Sequence, residues 1–159
     1  MTGSLLRVTN LVKHFEQSSG ILAGDQPPIK AVDGVDFTIE KGTTLGLVGE
    51  SGSGKTTTGR MIMRLLDPTD GTIEFDGVDI TKMSRSDLRP IRRRMQIVLQ
   101  NPFGSLNPRM KVREIVEEPL RYNTSAKSPD RRKQVLETLE IVGLNPDHAK
   151  RYPHEFSGG

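Results

Sequence analysis

The sequence contains no cysteine. That excludes a disulfide framework and thiol chemistry, and it suits the cytoplasm. Aromatic residues make up only 4%, too few for the stacking platforms of a nucleic-acid binder. No apolar run approaches the roughly 20 residues that span a bilayer, so any membrane association goes through a partner. The opening MTGSLLRVTN lacks the basic-then-apolar pattern of a secretion signal. Neither charge sign dominates, with 23 Lys+Arg against 20 Asp+Glu and a net charge of +3. The densest basic cluster, Arg89, Arg92, Arg93 and Arg94, reads as a solvated helix face rather than a nucleic-acid patch.

What is present is the composition of a globular domain. The 159 residues suffice for one core, 27% are charged, and the mean hydropathy is −0.47. Leu5 to Leu11 alternates partially and predicts a strand. Glu16 to Pro28 is rich in Gly, Ser and Pro and predicts a loop. Val35 to Glu40 alternates strictly, as a half-buried strand does, and Lys41-Gly42 turns the chain. Thr44 to Gly49 is apolar on both faces, which suits a central strand of a parallel sheet. From Gly54 the period becomes helical through Thr58, Met61, Ile62, Leu65 and Leu66, and Asp67-Pro68 closes that helix. Thr72 to Ile80 predicts a hairpin on Asp76-Gly77. Ser86 to Arg94 predicts a helix despite Pro90, Met95 to Gln100 a strand, and Val112 to Leu120 a short helix. Ser128-Pro129 starts a further helix whose apolar face is Val135, Leu136, Leu139 and Val142, with Gly143 as its cap. Strands come early and helices late, without an internal repeat.

The central motif is GESGSGKTT, Gly49 to Thr57, which fits G-x-x-x-x-G-K-[ST] between an apolar strand and an amphipathic helix. Phosphate oxygens are best held by several converging backbone N–H groups. That needs a tight loop, positive φ angles and no side chains in the way, hence Gly49, Gly52 and Gly54. The helix N-terminus favours an anion. Lys55 reaches the β- and γ-phosphates as a point charge, Thr56 offers a hydroxyl to Mg²⁺, and Thr57 bonds the α-phosphate. The loop alone does not choose among GTPases, kinases and transporter motors.

An early segment with Phe15, the loop GESGSGKT, Gln100 at the end of a strand, and EFSGG further on follow one another in an order that resembles the ATP-binding subunit of ABC transporters. The likeness covers nearly the whole chain. SGG after Phe156 looks like the start of the Leu-Ser-Gly-Gly-Gln signature, with Phe156 in the Leu position. NPFGSLNPRM after Gln100 is similar to a segment of the oligopeptide and dipeptide importer subfamily, with nickel uptake a close relative.

The resemblance implies an α/β P-loop NTPase of ABC type. Its parts would be an N-terminal antiparallel β part, a partial nucleotide-binding core and the start of a helical subdomain, C-terminally incomplete. Residues 5–80 would carry the β-rich part and the phosphate loop, 81–111 the Gln100 strand and segment, and 112–159 the helical subdomain. It implies ATP and Mg²⁺ as cofactors. Phe15 would stack on adenine, where its alternative is an ordinary core Phe. Ser53 would bind nucleotide with the rest of the loop, and Gln100 would reach Mg²⁺ and the attacking water. Ser157, Gly158 and Gly159 would contact ATP held by a second ATP-binding subunit. The implied partners are that subunit, the transmembrane permease subunits and, indirectly, an extracytoplasmic substrate-binding protein, with no nucleic acid. The implied location is peripheral, on the cytoplasmic face of the membrane. His14, His148 and His154 show no metal spacing and read as surface or capping residues, and Glu155 as a helix-start partner.

Hydrolysis further needs a second carboxylate for Mg²⁺ and a residue that orients water. In the family these follow a later apolar strand, as Asp then Glu, and the sequence stops first. Asp76 does not substitute, because Glu74 interrupts its apolar run and Asp76-Gly77 is a turn. Activity is thus expected of a longer parent, and no turnover of this chain alone. The alternatives are an ATP-binding module without turnover, and a soluble ABC-type ATPase acting on ribosomes or DNA. Two both-face-apolar strands without flanking strands predict that the isolated chain is marginally stable or aggregates. A sharp, reversible melt of a monodisperse sample contradicts this.

Overall fold

The computed structural model describes residues 3–17 and 27–156. The chain divides into two compact units, Met1–Gln96 and Ile97–Gly159, and each is described by itself.

The first unit is built on a four-stranded antiparallel sheet. Its strands are β1 (Ser4–Phe15), β2 (Ile29–Glu40), β3 (Asp70–Phe75) and β4 (Val78–Asp79), in the order β2-β1-β3-β4. Along β1, Leu6 and Val8 are buried while Arg7 and Thr9 are exposed. Asn10 then breaks the alternation with φ 46°, and the register to β2 shifts between Val8 and Leu11. This bulge returns Leu11 to the core side, where it is fully buried. The β3–β4 turn has Asp76 at φ 49° and Gly77 at φ 79°, the conformation an Asp-Gly hairpin requires. The Asp76 carboxylate takes Lys41 Nζ and Arg94 Nη2, each at 2.6 Å. Those two partners, Lys41 first, hold it below the usual carboxylate range.

Helices α1 (Lys55–Ile62) and α2 (Arg85–Arg92) supply Met61 and Leu88 to the core that the sheet lines with Leu6, Val8, Leu11, Val32, Ile73, Phe75 and Ile80. Burying a side chain of this kind contributes about 1.5–3 kcal/mol, so this cluster outweighs any single surface pair in the unit. Pro90 forfeits one bond inside α2, but the helix runs only two residues further, so little is lost.

Helix α1 is shorter than its apolar period predicts. It stops at Ile62 because Arg64 adopts φ 52°. The Arg64 N–H donates to the Met61 carbonyl at 2.8 Å and the Leu65 N–H to the Arg60 carbonyl at 2.9 Å, the two bonds of a left-handed helix terminator. Leu65 is consequently 59% exposed. An arginine in this conformation costs roughly 1–2 kcal/mol relative to glycine. Its buried side chain offsets that by donating Nε to the Ile80 carbonyl at 2.9 Å and Nη1 to Asp67 at 2.6 Å. Arg92 Nη2 in turn donates to the Arg64 carbonyl.

The two segments expected as central parallel strands, Thr44 to Gly49 and Met95 to Gln100, form no ladder among the described residues. Leu45, Leu47 and Val48 are exposed in the first unit, as are Ile97, Val98 and Leu99 in the second. A strand apolar on both faces is stabilised by neighbours on both sides. In the described sheet β2 and β4 are the edge strands, and neither pairs with these segments.

The second unit is helical. Helix α3 (Val112–Asn123) runs three residues beyond Leu120, and α4 (Ser128–Ile141) follows. Short 3₁₀ turns lie at Pro146–Lys150 and Pro153–Glu155. Val135, Leu139 and Ala149 form the core against Val112, Val116, Leu120 and Leu144. Leu136 and Val142, expected on the same face, are exposed at 40% and 63%. Pro129 falls at the second helical position, within the first turn where its missing N–H costs no helical bond. Gly143 at φ 78° ends α4, with the Leu144 N–H reaching the Leu139 carbonyl at 2.8 Å. Glu155 accepts from the Tyr152 N–H at 2.7 Å, the expected local partnership.

Glu117 is buried on α3 and accepts from Arg131 Nε at 2.9 Å and Arg121 Nε at 3.4 Å. Hydrogen bonding from Arg131 lowers its carboxyl from the usual 4.5, although burial opposes this. A carboxyl lowered in the folded state contributes stability above its unfolded value and loses it as the pH falls through the folded one. The helical unit should therefore lose stability as the pH falls from about 4.5. Glu117→Gln should cost about 1–3 kcal/mol at pH 7 and flatten the acid limb. An unchanged melting profile from pH 3 to pH 7 contradicts this.

Candidate nucleotide-binding loop

The loop Gly49 to Thr57 lies in the first unit, and α1 begins inside it at Lys55. Gly52 and Gly54 have φ of 83° and 88°. At Gly54 an added Cβ would lie 2.3 Å from the Ala31 carbonyl oxygen on β2. Glycine is needed there both for the angle and for the close approach. At Gly49 the same atom would meet Ser53 Oγ at 2.6 Å. The loop is closed by the Ser53 N–H donating to the Glu50 carbonyl at 3.2 Å.

Lys55 folds back across this loop. Its Nζ donates to the Gly49 carbonyl at 2.8 Å, the Glu50 carbonyl at 2.6 Å and Ser53 Oγ at 3.2 Å. An ammonium has three donors, so here each points at one loop acceptor. The charge sits where the loop's N–H groups and the α1 N-terminus already favour an anion. An incoming phosphate would exchange with one of these neutral acceptors, and a charge-assisted bond is stronger than a neutral one. Thr56 is exposed and Thr57 half-buried. Thr58 is buried and returns its hydroxyl to the Gly54 carbonyl at 3.0 Å, fixing the first turn.

Of the other expected residues, Phe15 belongs to the first unit and Gln100 and Phe156 to the second. Phe15 ends β1 opposite Ile29 and is 39% exposed, so it is not a core phenylalanine. Gln100 is exposed in the second unit. After it, the Asn101 side chain accepts from the Gly104 N–H at 3.0 Å, and the Asn107 side chain from the Arg109 N–H at 3.0 Å. The two Asn-Pro pairs are thus side-chain-stabilised turns. Phe156 is half-buried and meets His148 edge-on, with centroids 5.3 Å apart. Ser157, Gly158 and Gly159 lie outside the described residues.

The donor set fits a polyphosphate. It combines an ammonium, hydroxyls at the start of a helix, and glycines whose positive φ or close neighbours exclude a Cβ. For a divalent cation the fit rests on the Thr56 hydroxyl, since no cluster of acidic or histidine side chains suits a metal among the described residues.

Residues 32–159 match the ABC transporter family. This chain belongs to that family. It is 50% identical to the oligopeptide transport ATP-binding protein OppF of Bacillus subtilis (strain 168) over 161 aligned positions, covering 100% of this chain and 50% of that protein. It is 46% identical to the dipeptide transport ATP-binding protein DppF of Escherichia coli (strain K12), covering 98% of this chain and 46% of that one. The dimeric structure of MJ0796, a bacterial ABC transporter cassette, matches with a TM-score of 0.74 at 30% identity, covering 96% of this chain and 63% of that one. The fold is therefore that of an α/β ABC ATPase cassette. The chain spans about half the length of the curated relatives it matches. As an ABC-family chain it has, among its described residues, no helix long and apolar enough to cross a membrane.

The two glycines of the loop region separate strain from simple side-chain size. Gly54→Ala should weaken ATP binding at least about tenfold, because the new methyl meets backbone at a positive φ. Gly59→Ala on α1 meets nothing within 4 Å and should leave binding unchanged while stabilising the helix by about 0.5–1 kcal/mol. Titration calorimetry and melting of both variants check this. Equal binding by the Gly54 variant contradicts it.

Proposed function

We propose that this chain is the ATP-binding part of an ABC importer that couples ATP binding and hydrolysis to uptake of oligopeptides or dipeptides. The observation that carries the reading is the loop itself. Lys55 Nζ is held by the Gly49 and Glu50 carbonyls at the start of a helix whose N-cap glycine has φ 88°. The substrate class is supported by the peptide transporters among the relatives.

In this reading Gly49, Gly52, Ser53, Gly54, Lys55 and Thr57 hold the phosphates, and Phe15 stacks on the base. Thr56 would hold Mg²⁺ through its hydroxyl, and the ion would supply charge that offsets that of the phosphates. Gln100 would act on Mg²⁺ and the attacking water. Ser157, Gly158 and Gly159 face nucleotide bound by a second ATP-binding subunit, so each ATP lies between two subunits. Nucleotide then shifts the population toward the closed pair, and product release reopens it. The turns after Gln100 would meet permease subunits, and the protein would then work on the cytoplasmic face of the membrane. An extracytoplasmic capture protein delivers the peptide.

The sequence holds no Asp-Glu pair, the arrangement expected for the remaining carboxylates. These residues should therefore bind Mg-ATP without releasing phosphate faster than buffer, and Lys55→Ala should weaken that binding by about 2 kcal/mol or more. Calorimetry and a phosphate-release assay run side by side check both. Binding that survives Lys55→Ala unchanged sinks the nucleotide reading, and steady turnover sinks the expectation that these residues do not hydrolyse ATP by themselves.

A further inference from the structure

Lys13 and Phe15 stand two residues apart on β1, so their side chains leave the same face of the strand. Lys13 Nζ lies over the Phe15 ring, 5.2 Å from its centroid, within the range of a cation–π contact. The same ammonium donates to the Asp67 carbonyl at 2.8 Å. Asp67 is itself anchored by the buried Arg64, whose Nη1 donates to Oδ1 at 2.6 Å. A second strap runs beside the first. The Thr69 N–H donates to the Val12 carbonyl at 2.8 Å, and the His14 N–H donates to Thr69 Oγ1 at 3.0 Å. The end of β1 is thereby tied to the chain that leaves α1, the helix that begins in the phosphate loop.

We infer that Lys13 is a positioning residue for the base of the bound nucleotide: it braces one face of the Phe15 ring and leaves the other for a purine. The inference rests on the nucleotide reading above. The physics has two parts. The hydrogen bond to the Asp67 carbonyl holds the ammonium in place, and the ammonium then fixes the ring plane against a chain anchored at the end of α1. The cation also draws π density toward itself, which reduces the repulsion between stacked π clouds on the opposite face. Ring and phosphate loop are thus spaced by one framework, and stacking needs less ordering of a 39% exposed side chain.

The test compares Mg-ATP with Mg-tripolyphosphate, a phosphate chain without base or sugar. Binding of both is measured by calorimetry on the whole chain. In Lys13→Met the ratio of ATP to tripolyphosphate affinity should fall about three- to tenfold, with tripolyphosphate affinity unchanged. Lys13→Arg, which keeps a cation over the ring, should restore the ratio. Where Lys13→Met melts early, Lys13→Gln keeps a donor for the Asp67 carbonyl without the charge and carries the same expectation. Equal losses for both probes, or no loss for either, overturn the inference. Wild-type protein that binds tripolyphosphate as tightly as ATP overturns it and leaves the phosphate-loop reading standing. Wild-type protein that binds neither overturns both.

Discussion

The phosphate loop depends on one close approach, where the chain at Gly54 passes the Ala31 carbonyl of β2 so tightly that a Cβ would stand 2.3 Å from the oxygen. That contact sets where α1 starts. The helix start determines where its unpaired N–H groups point and how far Lys55 must fold back to reach Gly49 and Glu50. The positive φ at Gly54 is affordable only to glycine, and the core beneath it, with Met61 from α1 and Val32 from β2, keeps the two elements pressed together. Loop geometry is thus a consequence of packing between a helix and a strand, not of the loop sequence alone.

The other end of α1 is held by a different device. Arg64 terminates the helix in a conformation normally given to glycine, and its buried guanidinium bonds the Ile80 carbonyl and Asp67. A short helix with both ends fixed transmits position. What is set at Gly54 is carried through Arg64 and Asp67 to Lys13 and the exposed ring of Phe15. In the second unit the counterpart is Glu117, whose carboxylate joins α3 to Arg131 of α4. There a single buried charge with two cationic partners does the tying, which is costly to break from one side.

Much of this was legible in the sequence because it follows from local rules. Alternation marked β1 and β2, Asp76-Gly77 marked the hairpin, and Gly143 marked the end of α4. The loop Gly49 to Thr57 and the family were readable from spacing and order. What failed was whatever depended on partners distant in sequence. Thr44 to Gly49 and Met95 to Gln100 have the composition of buried strands, but composition does not provide neighbours to pair with. The end of α1 was misplaced because no propensity assigns a left-handed turn to Arg64; only its buried bonds make that conformation worthwhile. Leu136 and Val142 matched a helical period yet face solvent, since the α4 seam is narrow and Val135 with Leu139 fills it. The role inferred for Lys13 was hidden because strand alternation places it beside Phe15 but does not say that a carbonyl of another segment holds its ammonium there.

The central claim is that a preformed loop at the start of α1 accepts a nucleotide's phosphates. The most direct measurement is a titration of ¹⁵N-labelled chain with Mg-ATP, followed by amide chemical shifts. The account predicts saturable shifts concentrated at residues 50–57 and at Phe15, with α3 and α4 unmoved. Shifts spread evenly over the chain, or none at the loop at saturating nucleotide, would contradict it.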